Sequence, residues 1–589
     1  MKMKDKFLVL LLLLSFMSCG KMLEMDSEMV KFEGDNTLDT PEDTLNSVMG
    51  IIRQMQVVAD RTVLLGEIRA DLMQVNDKAT TDIKALAVVP MTDEANIYNQ
   101  INDYYAIINN CNYYLANVDP EAQRLSKFIF KREYIAVKVY RAWTYLQLAK
   151  IYGKVPLVLN PLLSMEEAQQ AMNMNPTDLQ GICDYFISDL SQYVGSKDDE
   201  EMEFPQYGSV YGIDSRKLFI PLRVILGEMC LWTGRYTEAA RYLHDYLTKT
   251  SRPITIGISK VQWNVKNEEE FYTSAPYDNR AGLATTENDA NENIFVIPME
   301  TTEFNGIKSL LGTVYNSVEY NKYYAQVSPS QAMKRISREE DYLWLFSRTS
   351  TIKDSIRAPK DNLRSALMAG DLRLWGNYGT RKVNRDETSD YSEEIQTIKK
   401  LANNFIPIYR KQYVYLLYAE ALNRAGFPHS AFAVLKYGLC NEENEKRIPA
   451  DELEKAGDLI DFPNSAYRIT DKTIDDQKYP KNTMGIHARG CGNAECDKLY
   501  CIEKTVTSPT DTIEMVEDLI VNEMALETAF EGLRYYTLMR IAMRRGNNSY
   551  LAEPISRRDD PDGTKKDMEL YEKLMNRDNW YLPIVTKAK

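Results

Sequence analysis

Histidine is almost missing from this chain. Three in 589 residues make a His-rich metal site or histidine-based catalysis an unpromising starting point. A basic excess is missing too. Lys and Arg number 71 against 85 Asp and Glu, a formal net charge of -14. Nucleic acid is therefore not expected as a partner, because phosphate binding needs a basic face. Beyond the N-terminal region every apolar stretch is interrupted by charge within a few turns, so none is a transmembrane candidate. Neither a paired-acid motif at a strand end nor a serine-nucleophile elbow is recognisable, and no catalytic residue, metal or cofactor is assigned. Of the eight cysteines, seven remain when Cys19 is set aside, an odd number that cannot pair completely within the chain. Cys111, Cys183, Cys230 and Cys440 lie in apolar helical patterns, where a small buried hydrophobe is the default reading.

What is present begins at the N-terminus. Lys2, Lys4 and Lys6 form a positive region, and Phe7 to Leu14 is an unbroken apolar run too short to span a bilayer. Ser15, Phe16, Met17 and Ser18 lead into Cys19. This order reads as a lipoprotein signal over residues 1–18, cleaved so that the Cys19 thiol can be lipidated. The alternative is an ordinary secretory signal followed by an incidental cysteine. Acyl chains contribute ~0.8 kcal/mol per buried CH₂, so a multiply acylated Cys19 would hold the chain on a membrane through the anchor only. Residues 19–40 are polar and aperiodic, which suits a tether.

From residue 41 the dominant signal is helical. Ile135, Val139, Ala142, Leu146 and Ala149 advance by four and three, one face of a long helix that Gly153 and Pro156 stop. Leu218, Leu222, Ile225, Met229 and Trp232 form one stripe and Tyr236, Ala239, Ala240, Leu243 and Leu247 a second, with Gly234 at the turn. Small Ala239 and Ala240 would let the two helices approach closely. The string from Trp232 to Ala240 resembles the turn and second helix of a tetratricopeptide repeat, and a similar pair spans Tyr415 to Leu435. The expected fold is mostly α: tetratricopeptide-like helix pairs forming a scaffold, with a large irregular loop-rich insertion. The helical regions are 41–250 and 401–589, and the insertion is 251–400, where Gly, Pro, Asn, Asp and Tyr become common. Large insertions of this kind are where binding function usually resides. The alternative is a passive elaboration or a patch for a partner protein.

Several segments, taken in order along nearly the whole chain, resemble the SusD/RagB-like family of Bacteroidetes outer-membrane nutrient-binding lipoproteins. Gly66-Glu-Ile-Arg-Ala-Asp71 and Tyr105-Ala-Ile-Ile-Asn-Asn-Cys-Asn112 are similar to its early elements. Arg141-Ala-Trp-Thr-Tyr-Leu-Gln-Leu148, followed by Tyr152-Gly-Lys-Val-Pro156, is similar to its most recognisable signature. Gly370-Asp-Leu-Arg373, Ala419-Glu-Ala421, Glu523 through Leu538 and Trp580-Tyr-Leu-Pro-Ile584 match later ones. The resemblance implies a helical lid seated on a TonB-dependent (SusC-like) outer-membrane transporter. It also implies capture of oligosaccharides, or in one branch oligopeptides, without chemistry, at the cell exterior. Arg141, Glu523 and Arg534 lie on helical faces, where ion pairing is the favoured reading over ligand contact. Trp143, Trp232 and Trp580 read as packing residues.

Sugar binding needs flat apolar platforms and polar groups for hydroxyls. Sugar-binding members of the family carry aromatics in an early loop, yet Leu72 to Ile97 here contains no Phe, Tyr or Trp. The insertion supplies the candidates instead: Trp263, Phe304, Tyr315, Tyr320, Tyr324, Trp344 and Trp375. Because the chain holds 38 Tyr, any one tyrosine is more often packing than platform. The run His487-x3-Cys491-x4-Cys496-x4-Cys501 admits a disulfide-stapled loop, unpaired thiols or a metal site, in that order of preference for an extracytoplasmic chain. Asp560-Pro-Asp562-Gly563 lacks the downstream Glu of a calcium loop and reads as a solvated turn.

Overall fold

The computed structural model describes residues 38, 40–93, 95–195, 205–210, 212–249, 292–300, 306–315, 325–340, 371, 373–374, 400–401, 405–463, 485–490, 500–503 and 508–584. It also describes the backbone of strands at 263–266, 270–273, 342–347, 353–358, 378–384 and 392–398. Helix α1 (Pro41–Glu67) starts where Thr40, extended in backbone, accepts a hydrogen bond from the Asp43 N–H, with Pro41 at the first helical position. Helices α2 (Ile101–Asn117), α3 (Lys131–Tyr152) and α4 (Leu179–Ser191) follow. The tetratricopeptide-like hairpin is α5 (Leu222–Trp232) and α6 (Tyr236–Lys249).

The apolar spacing predicts one buried face on α3, but every residue from Ile135 to Tyr152 is buried. Helices α1, α2, α4 and α5 pack around it, so its polar residues had to find partners rather than water. Lys138 pairs with Asp189 at 2.6 Å, Arg141 donates to Asn112 Oδ1 at 2.9 Å, and Lys150 faces Glu228 at 3.6 Å. The helix stops at Gly153, whose φ of 78° suits a residue without a Cβ.

The hairpin of α5 and α6 forms around Gly234, at a φ of 77°. Ala239 and Ala240 are fully buried, as the pattern predicts. A second residue shares their role: a Cβ on Gly227 would lie 2.6 Å from Leu243 Cγ, so this glycine also sets the closeness of the pair. The Leu218 end of the first stripe belongs to a short 3-10 turn, because Pro221 caps α5.

The later helical region is built from α7 (Lys411–Arg424), α8 (Pro428–Lys436), α9 (Pro509–Glu527) and α10 (Arg534–Arg545). Helix α7 packs on α6, α8 and α9, and its Glu420 carboxylate receives Arg540 at 2.7 Å and Arg544 at 2.6 Å. Burial pushes that carboxyl up, but the two guanidinium groups outweigh it and hold it at about 2. A strap at the end of the described chain returns to the first half. Trp580 is fully buried, Leu582 N–H donates to Ile151 O at 2.9 Å, and Asn99 donates to Pro583 O at 3.1 Å.

Where described, the central region contains antiparallel strand pairs and two helices, Leu311–Tyr315 and Gln331–Glu339. Two further strands join the region to the helical body. Asn293–Pro298 pairs with Phe405–Arg410, and Val327–Pro329 pairs with Met73–Val75. Among the described residues no helix is long and apolar enough to cross a membrane.

Candidate ligand-binding face and its anchorage

The segment after Asp71 and the central region meet in one seam. Met73, Gln74 and Val75 face Pro329, Ser328 and Val327 in antiparallel register. Asn76 continues the contact: its N–H donates to Gln326 O at 2.9 Å, its side-chain amide donates to Ala325 O at 2.8 Å, and its carbonyl oxygen accepts from Ser328 Oγ at 3.1 Å. Ser330 donates through its hydroxyl to Asp71 O and accepts from Met333 N–H at 3.0 Å, capping the helix that follows.

Beyond the seam the loop is braced from within. Asp82 accepts from Ile97 N–H at 3.1 Å, Asn96 donates to Asp82 O at 2.9 Å, and Asn96 Oδ1 accepts from Tyr98 N–H at 2.9 Å. The neighbouring segment Gly306–Leu310 is fixed to α1. Gln56 Oε1 accepts from Ile307 N–H at 3.0 Å, and the Asp60 carboxylate takes Ser309 Oγ and Leu310 N–H, both at 2.7 Å. Tyr98 joins the two segments: burial pushes its hydroxyl up to about 12, and Asp60 and Asp82 add to the shift. With the backbone held this firmly, the outward side chains are presented on a rigid base. They are aliphatic (Val88, Ile97, Ile307 and Leu310, each 40 to 51 % exposed) and charged (Asp77, Lys78, Lys84 and Lys308). Such a face can bind by apolar contact and hydrogen bonding. The described residues contain no cluster of His, Cys, Asp or Glu able to hold a metal ion.

The central region is pinned to the helices by buried charge. Glu527 is the hub. Its carboxylate accepts from Arg410 Nη1 at 3.2 Å and from Arg373 Nη1 and Arg489 Nε, both at 3.0 Å, while its carbonyl accepts from Lys400 at 3.2 Å. Arg373 also holds Asp371 at 2.7 Å and Glu523 at 2.6 Å. Arg410 holds Glu531 at 2.8 Å, and Arg489 holds Glu292 at 2.9 Å. All of these side chains are essentially excluded from solvent. Four cations meet five carboxylates, and His487 stands beside them with Nδ1 at 2.8 Å from Glu523 and Nε2 at 3.5 Å from Glu340. Burial opposes its protonation, but the two carboxylates outweigh burial and raise its pKa. Burial lifts Glu340 to about 7 despite His487. The two carboxylates thus favour the protonated form of His487.

The predicted site residues are distributed unevenly. Tyr315 does not belong to any surface: it is fully buried, and its hydroxyl donates to Phe530 O at 2.8 Å. Its aromatic ring packs in the core because the helix Leu311–Tyr315 turns it inward, a correction to the expected ligand platform. Trp263 and Trp344 lie on strands, Trp263 paired with Thr273 and Trp344 with Ile356. Phe304, Tyr320, Tyr324 and Trp375 lie outside the described residues, as do Cys19, Cys491 and Cys496. His487 stacks on Tyr500, next to Cys501, with ring centroids 3.7 Å apart, and faces Glu523 and Glu340 in the charge network. Asn76 and Gln326, which build the seam, and Gln56 and Asp60, which fix Gly306–Leu310 to α1, carry no motif that singled them out in the sequence. Arg534 pairs with Asp71 at 2.7 Å, in line with its structural reading, and Trp143 and Trp580 are fully buried.

No family model matches the sequence, and no curated protein is significantly similar to it. Solved structures do match the fold. A SusD superfamily protein from Bacteroides fragilis superposes with a TM-score of 0.54 at 16% identity, covering 93% of this chain and 96% of its own. A SusD superfamily protein from Bacteroides vulgatus gives 0.54 at 13%, covering 91% and 92%. A SusD-like carbohydrate binding protein from Bacteroides fragilis gives 0.53 at 15%, covering 88% of both.

Proposed function

We propose that this chain, which has the SusD-like fold, is a surface nutrient-binding lipoprotein of the SusD/RagB-like family. In this reading it captures oligosaccharides and delivers them to a partner TonB-dependent, SusC-like outer-membrane transporter, anchored to the membrane through Cys19. The observation that carries the proposal is the fold match over 93% of the chain combined with the stitching of the segment after Asp71 to the central region, which braces the proposed binding face. The solved neighbour whose name includes carbohydrate binding supports the glycan class. Trp263, Phe304, Tyr320, Tyr324, Trp344 and Trp375 remain the proposed stacking residues.

A second reading, an oligopeptide ligand, is favoured by one observation: the described face is aliphatic and charged, with no aromatic ring between Leu72 and Ile97. Calorimetry of the purified chain against oligosaccharide and oligopeptide panels separates the two, with mass spectrometry of the recovered ligand. Binding of an unaltered glycan, weakened by ~1–3 kcal/mol in Trp263→Ala, Trp344→Ala or Trp375→Ala, is the expected result. Cleaved ligand would overturn the binding role, and peptide binding alone would replace the substrate class.

A further inference from the structure

The short hairpin between α2 and α3 is built against two local rules. Its strands, Gln123–Arg124 and Lys127–Phe128, pair antiparallel, with Gln123 opposite Phe128 and Arg124 opposite Lys127. The two-residue turn holds Leu125 at a φ of 51° and Ser126 at 61°, left-handed positions that asparagine and glycine normally fill and that strain a leucine. The register also sets like charge directly against like, which weakens a strand pair. Burial does not offset either feature. Leu125 is 92 % exposed, and Arg124, Ser126, Lys127 and Phe128 are exposed with it. The base is nonetheless firm. Ile129 N–H donates to Ala122 O at 3.1 Å, Phe130 is buried, and Lys131 holds Glu121 at 3.1 Å with its Nζ 4.1 Å from the centre of the Phe128 ring. Strain maintained on a firm base points to a use for the tip.

The hairpin stands at the end of the body from which residues 19–40 lead away. Helices α1 and α2 pack on one another, and Arg61, late in α1, holds Asp103, early in α2, at 2.5 Å and donates to Gln100 O at 3.2 Å. In the last turns of α2, burial and Glu133 raise the Tyr114 hydroxyl, while Thr44 in the first turn of α1 lowers it. The two helices thus run antiparallel, and the hairpin that follows Asn117 lies beside the start of α1 at Pro41. The carboxylates of this end have partners of their own: Glu121 holds Lys131, Glu133 accepts from Tyr207 Oη at 2.8 Å, Asp43 from Thr40 Oγ1 at 2.7 Å and Asp119 from Glu121 N–H at 3.0 Å.

The tip therefore offers an apolar side chain flanked by two cations, on a chain whose net charge is -14. That order suits an anionic lipid surface, with the leucine at the acyl boundary and the cations among the headgroups. The inference rests on the reading of Cys19 as a lipid attachment, which brings this end of the body to a bilayer. Fully extended, residues 19–40 could reach ~70 Å, so a tether alone leaves the orientation of the body unset. A second contact sets it, and an anchored chain makes even a weak one at high effective concentration.

We propose that the hairpin Gln123–Phe128 is a second membrane contact, in which Leu125 enters an anionic lipid surface, Arg124 and Lys127 meet its headgroups, and the helical body is thereby oriented on the bilayer. The test uses the full chain purified from membranes, with Leu125→Cys carrying an environment-sensitive fluorophore. It is reconstituted into vesicles of phosphatidylglycerol and phosphatidylcholine with brominated acyl chains, and label taken up by the parent chain is subtracted. The label at position 125 should shift to the blue and be quenched by the brominated lipid. A label at Met568→Cys, exposed on another element, should show neither change. Arg124→Glu with Lys127→Glu, or vesicles of phosphatidylcholine alone, should abolish the quenching at an unchanged melting temperature. Absence of quenching in protein whose mass includes acyl chains overturns the contact and leaves the anchor standing. A label shielded from a water-soluble quencher but not reached by the brominated lipid gives the hairpin to a protein partner and overturns it as well. A mass without acyl chains fails the anchor reading instead, and the same label on protein mixed with the anionic vesicles then decides the hairpin by the same criterion.

Discussion

The hairpin of α5 and α6 and the junction around Glu527 are equally buried, but their contents are opposite. Between the helices the contact is Leu, Ile, Ala and a glycine, joined by a short turn and decided by neighbours within thirty residues. At the junction the contact is Arg, Lys, Asp and Glu drawn from positions 292, 371, 373, 400, 410, 489, 523, 527 and 531. Apolar packing is tolerant: a side chain of similar volume serves nearly as well. A buried charge network is selective, because removing one member strands the others without water to replace it. The helical scaffold is thus held by interchangeable parts, and the region proposed to carry the ligand is held by parts that must all be present.

The sharpest break is at the hub. Glu527→Ala leaves Arg373, Arg410 and Arg489 short of a partner and should cost ~3–5 kcal/mol in urea or guanidinium denaturation. A loss below that of a core overpacking mutant would show that the junction is not held by charge. Titration should distinguish the same region. Burial lifts Glu67 to about 8 from 4.5, although its Oε1 accepts the Gly532 N–H at 2.9 Å. The folded state then binds more protons than the unfolded state, so stability should fall as pH rises between 4.5 and about 8, by up to about 1.4 kcal/mol per pH unit for this group. His487, also raised when folded, contributes stability below its ordinary range that is lost as pH climbs through the raised value, in the same direction. Carboxylates held low, such as Glu420, act oppositely but only below the usual Glu range. Glu67→Gln should flatten the decline, and an unchanged slope would assign it elsewhere.

In the apolar hairpin, Ala240→Trp should overpack the contact with α5 and cost ~1–3 kcal/mol, read as a lower melting temperature. An unchanged value would mean that α6 does not sit against α5 as described. The smallest effect belongs to the seam. Ser330→Ala removes the cap on Met333 N–H and the bond to Asp71 O and should cost ~0.5–2 kcal/mol. Ligand affinity should weaken with it if the seam positions the binding face.

The difference between the two regions also explains what could be read in advance. The stripes from Ile135 to Ala149 and from Leu222 to Leu247 are local periodicities, and the helices, the turn at Gly234 and the burial of Ala239 and Ala240 follow from them. That α3 would be covered on every side was not legible, since its cover comes from four other helices. The junction was legible only as isolated motifs. Asp371, Arg373, Glu523 and Glu531 each sat in a recognised segment, but nothing local states that Arg373 reaches Glu527 or that Arg489 reaches Glu292. Nothing near His487 in the sequence points to Glu340 or Glu523, which lie far from it in the chain and meet it only in the fold. Tyr315 looked like a platform among many tyrosines, and only the helix turning it toward Phe530 shows it as core.

The strap from Trp580 to Pro583 has a consequence for the order of synthesis. Arg69, Asn99 and Ile151 emerge long before Trp580, Leu582 and Pro583, and each waits for a backbone group of that strap. Residues that emerge early therefore remain partly unsatisfied until the strap is available, and the early helix ends cannot close on their own. A ribosome-bound chain that stops short of Trp580 would expose the ends of α1, α2 and α3 to solvent and to chaperones. Closure of these helix ends is thus coupled to synthesis of the strap.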